Sequence, residues 1–136
     1  MRETKAFIDS NILICLFDGD LKRKSFTASL SKQGYTISTQ VVNENVNVCL
    51  KKLKLSKAEA FSHGTFLINN FNLVAIGAIT IQKAFDISLK YGYGFWDSLI
   101  LSSAIENGCK EVYSEDMQHG QIIEKHLKII NPFLPA

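Results

Sequence analysis

The sequence predicts an α/β fold, a sandwich in which helices cover a mostly parallel central sheet. Two observations predict it. Short apolar runs with strand character alternate with helical segments along all 136 residues, and Gly, Asn and Asp residues separate the segments. Strict alternation of this kind favours right-handed β-α-β connections, which make neighbouring strands parallel. Because no repeat, low-complexity tract or linker divides the chain, we expect one domain over residues 1–136.

The first predicted strand and the helices after it follow from capping and breaker residues. Residues 5–8 are apolar and predict a strand, and Ser10-Asn11 can cap a helix over residues 12–17. A second helix is predicted over residues 21–32. Its predicted inner face consists of Leu21, Phe26 and Leu30.

Two further strand and helix pairs are predicted in the middle of the chain. Residues 35–38 predict a strand, after which Thr39 caps a long helix to residue 53. That helix is rich in β-branched Val, so tertiary burial must hold it. Ser56 then begins a helix that ends at Asn69-Asn70, before a short strand at residues 71–75.

The C-terminal part begins with a predicted helix over residues 80–90. A second helix, whose first turn holds Asp97, has apolar residues spaced for burial on most of its circumference and ends at Gly108. Residues 111–114 predict a strand, and a last strand follows at residues 127–130.

Composition restricts the class of protein. Hydrophobic residues make up 46% and charged residues 21%, which is typical of a globular chain. A net charge of +2 neither requires nor excludes a nucleic-acid partner. The odd count of cysteines (Cys15, Cys49 and Cys109), each in or beside an apolar stretch, favours buried thiols in a reducing compartment. The sequence shows neither a signal peptide nor a membrane span, so we expect a cytoplasmic protein.

Four acidic residues are predicted to converge at one edge of the sheet. Asp9 follows the first strand and Asp116 follows the strand at residues 111–114, so a parallel sheet places both at the same edge. Glu44 and Asp97, each near the start of a helix, can overhang that edge. Each acid alone has an ordinary explanation as a turn residue, a helix-dipole partner or a solvated helix residue. Their convergence favours a site.

Such a cluster predicts a divalent metal ion. Carboxylates a few ångströms apart raise one another's pKa and destabilise the fold unless a cation balances them. Oxygen donors without a His or Cys cluster suit Mg²⁺ or Mn²⁺ rather than zinc. The chemistry that follows is hydrolysis of a phosphodiester, because the metal lowers the pKa of a water and stabilises charge on the leaving oxygen.

Several segments resemble the PIN-domain endoribonucleases, in particular the VapC-like toxins of bacterial toxin-antitoxin pairs. These segments are "FIDSNILI", "NENVNV", "FWDSLILSSAIENGCKEVYSEDMQHG" and the final strand. The resemblance covers essentially the whole chain, and its C-terminal block is the most specific part. It implies a Rossmann-like α/β/α sandwich, a homodimer, and cleavage of RNA (tRNA, rRNA or mRNA) with Mg²⁺ or Mn²⁺. It also implies a cognate antitoxin that inserts a segment into the cleft.

The resemblance also assigns residues. Asp9, Glu44, Asp97 and Asp116 match the acidic metal-binding and catalytic quartet of the family. Asn11 and Ser114 match polar positions beside it, where hydrogen bonds orient the carboxylates. Glu115 adjoins the fourth acid, and of the two neighbours we favour Asp116 as the one that faces the metal.

Other residues have two interpretations each. Lys51, Lys52 and Lys54 can bind RNA phosphates or compensate a helix dipole. Tyr93 and its aromatic neighbours can stack on unpaired bases, whereas Phe95 and Trp96 are assigned to the core. His119 can contact a substrate phosphate or lie in an exposed loop without a role, and His63 and His126 are expected to be incidental.

Two rival functions remain open. In a phosphatase, Asp9 would be a covalent nucleophile. Asn11 weakens this alternative, because it occupies the place where haloacid-dehalogenase-like enzymes carry a second Asp. A non-catalytic PIN-like binding or scaffold module is the other alternative, and retention of all four acids argues against it.

Overall fold

A six-stranded sheet forms the centre of the protein. The computed structural model describes residues 6–135, so Lys5 of the first predicted strand lies outside the described residues. The strands are β1 (Ala6–Ile8), β2 (Thr36–Ser38), β3 (Asn72–Val74), β4 (Glu111–Tyr113), β5 (Ile122–Ile123) and β6 (Leu127–Ile130), in the order β3-β2-β1-β4-β6-β5. All neighbours are parallel except β5 and β6. The predicted α/β fold with a mostly parallel sheet is confirmed.

Within residues 6–135, six helices connect the strands. They are α1 (Ser10–Leu13), α2 (Leu21–Ser29), α3 (Thr39–Lys51), α4 (Lys57–Asn70), α5 (Ala78–Tyr91) and α6 (Phe95–Glu106), and a 3-10 turn at Ile14–Phe17 follows α1. α4 begins with a capping box, in which Ser56 and Glu59 each bond the other's backbone amide. No helix in the described part of the chain is long and apolar enough to cross a membrane.

The centre of the sheet is fully buried. All three residues of β1 are buried, and Phe7 pairs with Thr36 of β2 on one side and with Val112 of β4 on the other. A strand covered on both faces is apolar throughout, which is why residues 6–8 lack the alternation of a half-exposed strand. β1 and β4 therefore hold their C-terminal ends side by side.

α6 is the most deeply buried helix around the site. Its residues 98–104 are all buried, as the all-round apolar pattern predicts. Small serines make this possible, and the hydroxyl of Ser102 is satisfied by donating to the carbonyl of Thr80 at 2.7 Å. Gly108 adopts a left-handed conformation (φ 73°) just past the helix end, as predicted.

Several boundaries and burial assignments differ from the sequence-based predictions. α1 begins at Ser10 with Asp9 as its cap, rather than at Ile12, and the cap of α3 is Ser38. α2 ends at Ser29, and Leu21 is 75% exposed rather than part of an inner face, because its position in the first turn lies beyond the core. β5, only two residues long, was not predicted because it is too short to show a period.

Trp96 and His63 also differ from their predicted roles. Trp96 is 63% exposed, so its assignment to the core is wrong, whereas Phe95 is half-buried. His63 is buried, and its Nε2 lies 2.9 Å from Oδ1 of Asn45. It is therefore part of the packing between α3 and α4 rather than incidental.

Candidate active site

The four predicted acids line one cleft of about 630 Å³ at the C-terminal edge of the sheet. Asp9 follows β1 and Asp116 follows β4, which pair side by side. Glu44 extends from the second turn of α3, and Asp97 lies in the first turn of α6. The topology thus brings together acids separated by more than half of the chain.

Asp9 is the most buried of these acids, with 4% of its surface exposed. Its Oδ1 accepts the backbone amide of Ser10 at 2.6 Å, which caps α1. Its Oδ2 accepts the hydroxyl of Ser114 at 2.8 Å. The pKa of Asp9 is raised to about 7, chiefly by burial and further by the charges of Asp97 and Glu44, although the bonds from Ser114 and Ser10 lower it.

Asn11 and Ser114 form a polar link between the ends of β1 and β4. Asn11 Nδ2 donates to Ser114 Oγ at 3.3 Å and to Asp9 Oδ2 at 3.4 Å. Asn11 Oδ1 accepts the backbone amide of Glu115 at 3.1 Å, and Ser114 Oγ accepts that of Asp116 at 3.3 Å. The loop that carries Asp116 is therefore tied to the residues that orient Asp9.

Glu44 is held by two uncharged donors. The hydroxyl of Ser10 donates to Oε1, and Gln40 Nε2 donates to Oε2 at 3.0 Å. Neither Ser10 nor Gln40 was identified from the sequence. The spacing of Gln40 and Glu44, one helical turn apart, is the signal that points to their contact.

Glu115 and Asp116 have different surroundings. Both oxygens of Glu115 accept hydrogen bonds of 2.6 Å from the guanidinium of Arg23, whose Nε also pairs with Asp18 at 2.8 Å. These bonds raise the pKa of Arg23, so it stays charged. Within residues 6–135 the carboxylate of Asp116 makes no hydrogen bond or ion pair. Glu115 is thus engaged by a cation, and Asp116 is the neighbour available to the cleft.

Asp97 is only partly buried, and within residues 6–135 it makes no ion pair with a basic side chain. Burial raises the pKa of its carboxyl, and the negative charges of Asp116 and Glu44 raise it further. The acids of the cleft therefore repel one another, and binding a cation would relieve this repulsion.

The donor set fits a hard divalent cation in an open site. All four acids offer oxygen, which Mg²⁺ and Mn²⁺ prefer. Within the described residues, no three Asp, Glu, His or Cys side chains stand close enough to enclose a metal ion. A metal ion bound here would therefore take several of its ligands from water or substrate.

Of the basic and aromatic residues predicted to bind RNA, only one lines the cleft. Lys52 lines the cleft, whereas Lys51 and Lys54 are exposed outside its lining. Tyr93 lies outside the lining too, and its hydroxyl donates to Gln121 at 2.5 Å and accepts the amide of Gln118 at 3.1 Å. These bonds give Tyr93 a structural position beside β5.

Several solved structures with the same fold are bacterial toxins or toxin-antitoxin complexes. A toxin-antitoxin complex from Klebsiella pneumoniae matches with a TM-score of 0.72 and 19% identity over 95% of this chain and 98% of that chain. VapC20 of Mycobacterium tuberculosis, a sarcin-ricin loop cleaving toxin, matches with a TM-score of 0.68 and 14% identity over 82% and 90%. DNA-bound VapBC from Salmonella typhimurium matches with a TM-score of 0.68 and 16% identity over 93% of this chain and 97% of that chain.

A comparison with curated proteins found no match. The low identities to the solved structures establish the shared fold. The model of the PIN domain family matches residues 6–124, which include all four acids of the cleft. The chain therefore belongs to the PIN domain family.

Proposed function

We propose that the protein is a metal-dependent endoribonuclease and the toxin of a toxin-antitoxin pair. The observation that carries this proposal is the convergence of Asp9, Glu44, Asp97 and Asp116 on one cleft, with Asp9 buried and its pKa raised to about 7. Burying a carboxylate among like charges is costly without a compensating cation. Its presence in a chain of this family supports a role in metal binding.

The residues of the cleft would each have a defined task. Asp9, Glu44, Asp97 and Asp116 would hold one or two Mg²⁺ or Mn²⁺ ions. The bound metal supplies an activated water and stabilises charge on the leaving oxygen of the phosphodiester. Ser114, Asn11, Ser10 and Gln40 hold Asp9 and Glu44 in fixed orientations.

The charged residues that line the cleft are mostly acidic, so a polyanionic substrate would need the bound metal to offset the repulsion. Arg23 is paired with Glu115, and Lys52 adds a positive charge to the lining, where an RNA phosphate would approach. The substrate we propose is RNA, whether tRNA, rRNA or mRNA, cut within the strand. VapC20 is itself a toxin that cleaves the sarcin-ricin loop.

A cognate antitoxin and a second copy of the chain complete the proposal. Similar chains occur in a toxin-antitoxin complex and in VapBC assemblies bound to DNA. We propose the same kind of antitoxin partner here, a homodimer, a single domain over residues 1–136, and action in the cytoplasm. The three cysteines are buried and no disulfide joins them, as a reducing compartment favours.

The experiment that tests the proposal is cleavage of a mixed tRNA and rRNA pool by purified protein in Mn²⁺. We expect defined fragments that disappear with EDTA and with Asp97→Asn, and sequencing of their ends would identify the target. An intact pool, with RNA or an antitoxin still bound, would favour the scaffold alternative. Release of phosphate from monoesters instead would favour the phosphatase.

A further inference from the structure

A second pocket, of about 570 Å³, adjoins the acid cleft. Its walls include Gln40, Asn43, Asn47, Phe95, Trp96 and Leu99, and we call it the Trp96 pocket. Glu44 and Asn47 line both the Trp96 pocket and the acid cleft, so the two share a wall. A strand whose phosphodiester lies in the cleft would pass the mouth of this pocket.

The indole of Trp96 is unusually open to solvent. Trp side chains are on average highly buried, yet this one is 63% exposed. The ring of Phe95 contacts it in an edge-to-face arrangement, with centroids 5.1 Å apart and planes at 69°. Phe95 in turn packs against Phe85 at 5.8 Å. The indole is thus supported from one side and presents a large aromatic surface to solvent.

The polar groups of the pocket suit a neutral, flat ligand. Asn43 and Asn47 are exposed, lie one turn apart on α3, and make no side-chain hydrogen bond within residues 6–135. Each amide offers donors and an acceptor, as the edge of a nucleobase requires. The described lining contains no Lys or Arg, so the pocket is unsuited to a phosphate.

Gln40 connects this pocket to the acid cleft. Its Nε2 donates to the backbone carbonyl of Trp96 at 3.1 Å and to the carboxylate of Glu44 at 3.0 Å. The position of the Trp96 backbone and that of Glu44 are therefore set by one amide, itself 7% exposed. The pocket and the acid cleft are therefore joined through one buried side chain.

We infer that the Trp96 pocket holds an unpaired nucleobase of the RNA strand whose backbone crosses the acid cleft. The base stacks on the indole of Trp96, and Asn43 and Asn47 bond its edge. Seating one base here places a neighbouring phosphodiester over the acids and contributes to the choice of cleavage site. This inference rests on the proposed function, since it takes single-stranded RNA as the ligand.

The protein carries its own probe for this ligand, because Trp96 is the only tryptophan in the chain. Asp116→Asn protein, used so that strands stay intact, is titrated in Mg²⁺ with the four homopolymeric single-stranded oligoribonucleotides and with an abasic strand of equal length. We expect saturable quenching of the Trp96 emission by at least one base-bearing strand and none by the abasic strand. Binding seen by fluorescence anisotropy without any change in emission would overturn the inference.

Three variants separate base stacking on Trp96 from contact with another copy of the chain. Trp96→Ala should weaken strand binding roughly 5- to 150-fold, the range for loss of an aromatic base platform, and Trp96→Phe should restore most of it. Leu89→Ala, on the neighbouring α5 and 87% exposed, should leave binding unchanged. If sedimentation instead shows that Trp96→Ala and Leu89→Ala both dissociate a dimer and leave strand binding intact, the face is a contact between copies and the inference is wrong.

The endoribonuclease function and the base pocket can be refuted independently of each other. Wild-type cleavage of RNA with no base-dependent quenching would remove the base pocket and keep the nuclease. Base-dependent quenching with no cleavage of any RNA would keep the pocket and remove the nuclease.

Discussion

Ser114 donates a hydrogen bond of 2.8 Å to Oδ2 of Asp9, a residue 105 positions earlier in the chain. The bond joins the residue after β1 to the residue after β4, so it exists only because the two strands pair in parallel. Asp9 Oδ1 is fixed by the Ser10 amide as well. Both oxygens of this buried carboxylate are therefore oriented before a ligand binds.

Loss of the Ser114 hydroxyl should leave the carboxylate of Asp9 less firmly oriented. Ser114→Ala should lower the affinity for Mn²⁺ by roughly 10- to 100-fold, as loss of a group that orients a metal ligand does, measured by isothermal titration calorimetry. Ser25→Ala, at an exposed position of α2, is the matched control and should bind Mn²⁺ like the wild type. Equal affinity in the two variants would mean that the hydroxyl does not orient a metal ligand.

The raised pKa of Asp9 predicts a pH-dependent stability of the metal-free protein. The folded carboxyl titrates near pH 7 and the unfolded one near its ordinary value of 3.8, so the folded state binds more protons between these values. The free energy of unfolding should therefore fall as pH rises from about 4 to 7, by up to about 1.4 kcal/mol per pH unit. Urea unfolding in EDTA across this range measures it.

Asp9→Asn is the control for that titration. It should flatten the pH dependence, with a smaller slope of the same sign remaining from Asp97, whose pKa is also raised. Parallel curves for wild type and Asp9→Asn would show that Asp9 is not the group responsible. Added Mn²⁺ should stabilise the wild type more at the alkaline end, where Asp9 is ionised.

The neighbours Glu115 and Asp116 should differ in their effect on activity. Asp116→Asn should lower the rate of RNA cleavage on the order of 10²- to 10³-fold, because it removes one of the carboxylates proposed to hold the metal that stabilises the transition state. Glu115→Gln should keep a rate close to that of the wild type, since Glu115 lines the cleft but both of its carboxylate oxygens are bonded to Arg23. Single-turnover cleavage of one mapped RNA decides between them, and the reverse order would place Glu115 at the metal.

Lys52 and Lys54 form a matched pair for testing phosphate contact. Lys52 lines the acid cleft and Lys54 does not. Lys52→Ala should reduce the slope of log K against log salt by about 0.7, the value for one phosphate of a single strand, whereas Lys54→Ala should leave it unchanged. Anisotropy titrations of a labelled single strand at several salt concentrations measure the slope, and equal slopes would remove Lys52 from the interface.

The sequence alone predicts the position of site residues that lie at the end of a strand or at the start of a helix. Asp9 and Asp116 could be placed at one edge from the alternation of elements alone, since a parallel sheet puts the ends of β1 and β4 together. Burial of α6 followed from its apolar circumference. Assigning Glu44 to this site relied also on the resemblance to the PIN-domain endoribonucleases, because an acid in the second turn of a helix is common.

Features that depend on distant contacts were missed for a physical reason. Arg23 reaches Glu115 across 92 positions, and no local pattern marks that pair. His63 bonds Asn45 only because α3 and α4 pack together. Trp96 looked like core because indoles usually are, yet its position at the first turn of α6 leaves it at the rim. Local pattern cannot distinguish rim from core at a helix start.

The most direct test of the central claim, that the acid cleft holds a divalent metal ion, is titration of Mn²⁺ with the protein, followed by electron paramagnetic resonance. The signal of free aqueous Mn²⁺ should decrease on addition of wild-type protein and should recover largely with Asp97→Asn, because the cleft loses one of its four carboxylates. Equal loss of signal with both proteins would place the metal elsewhere. No loss with the wild type would contradict the metal site itself.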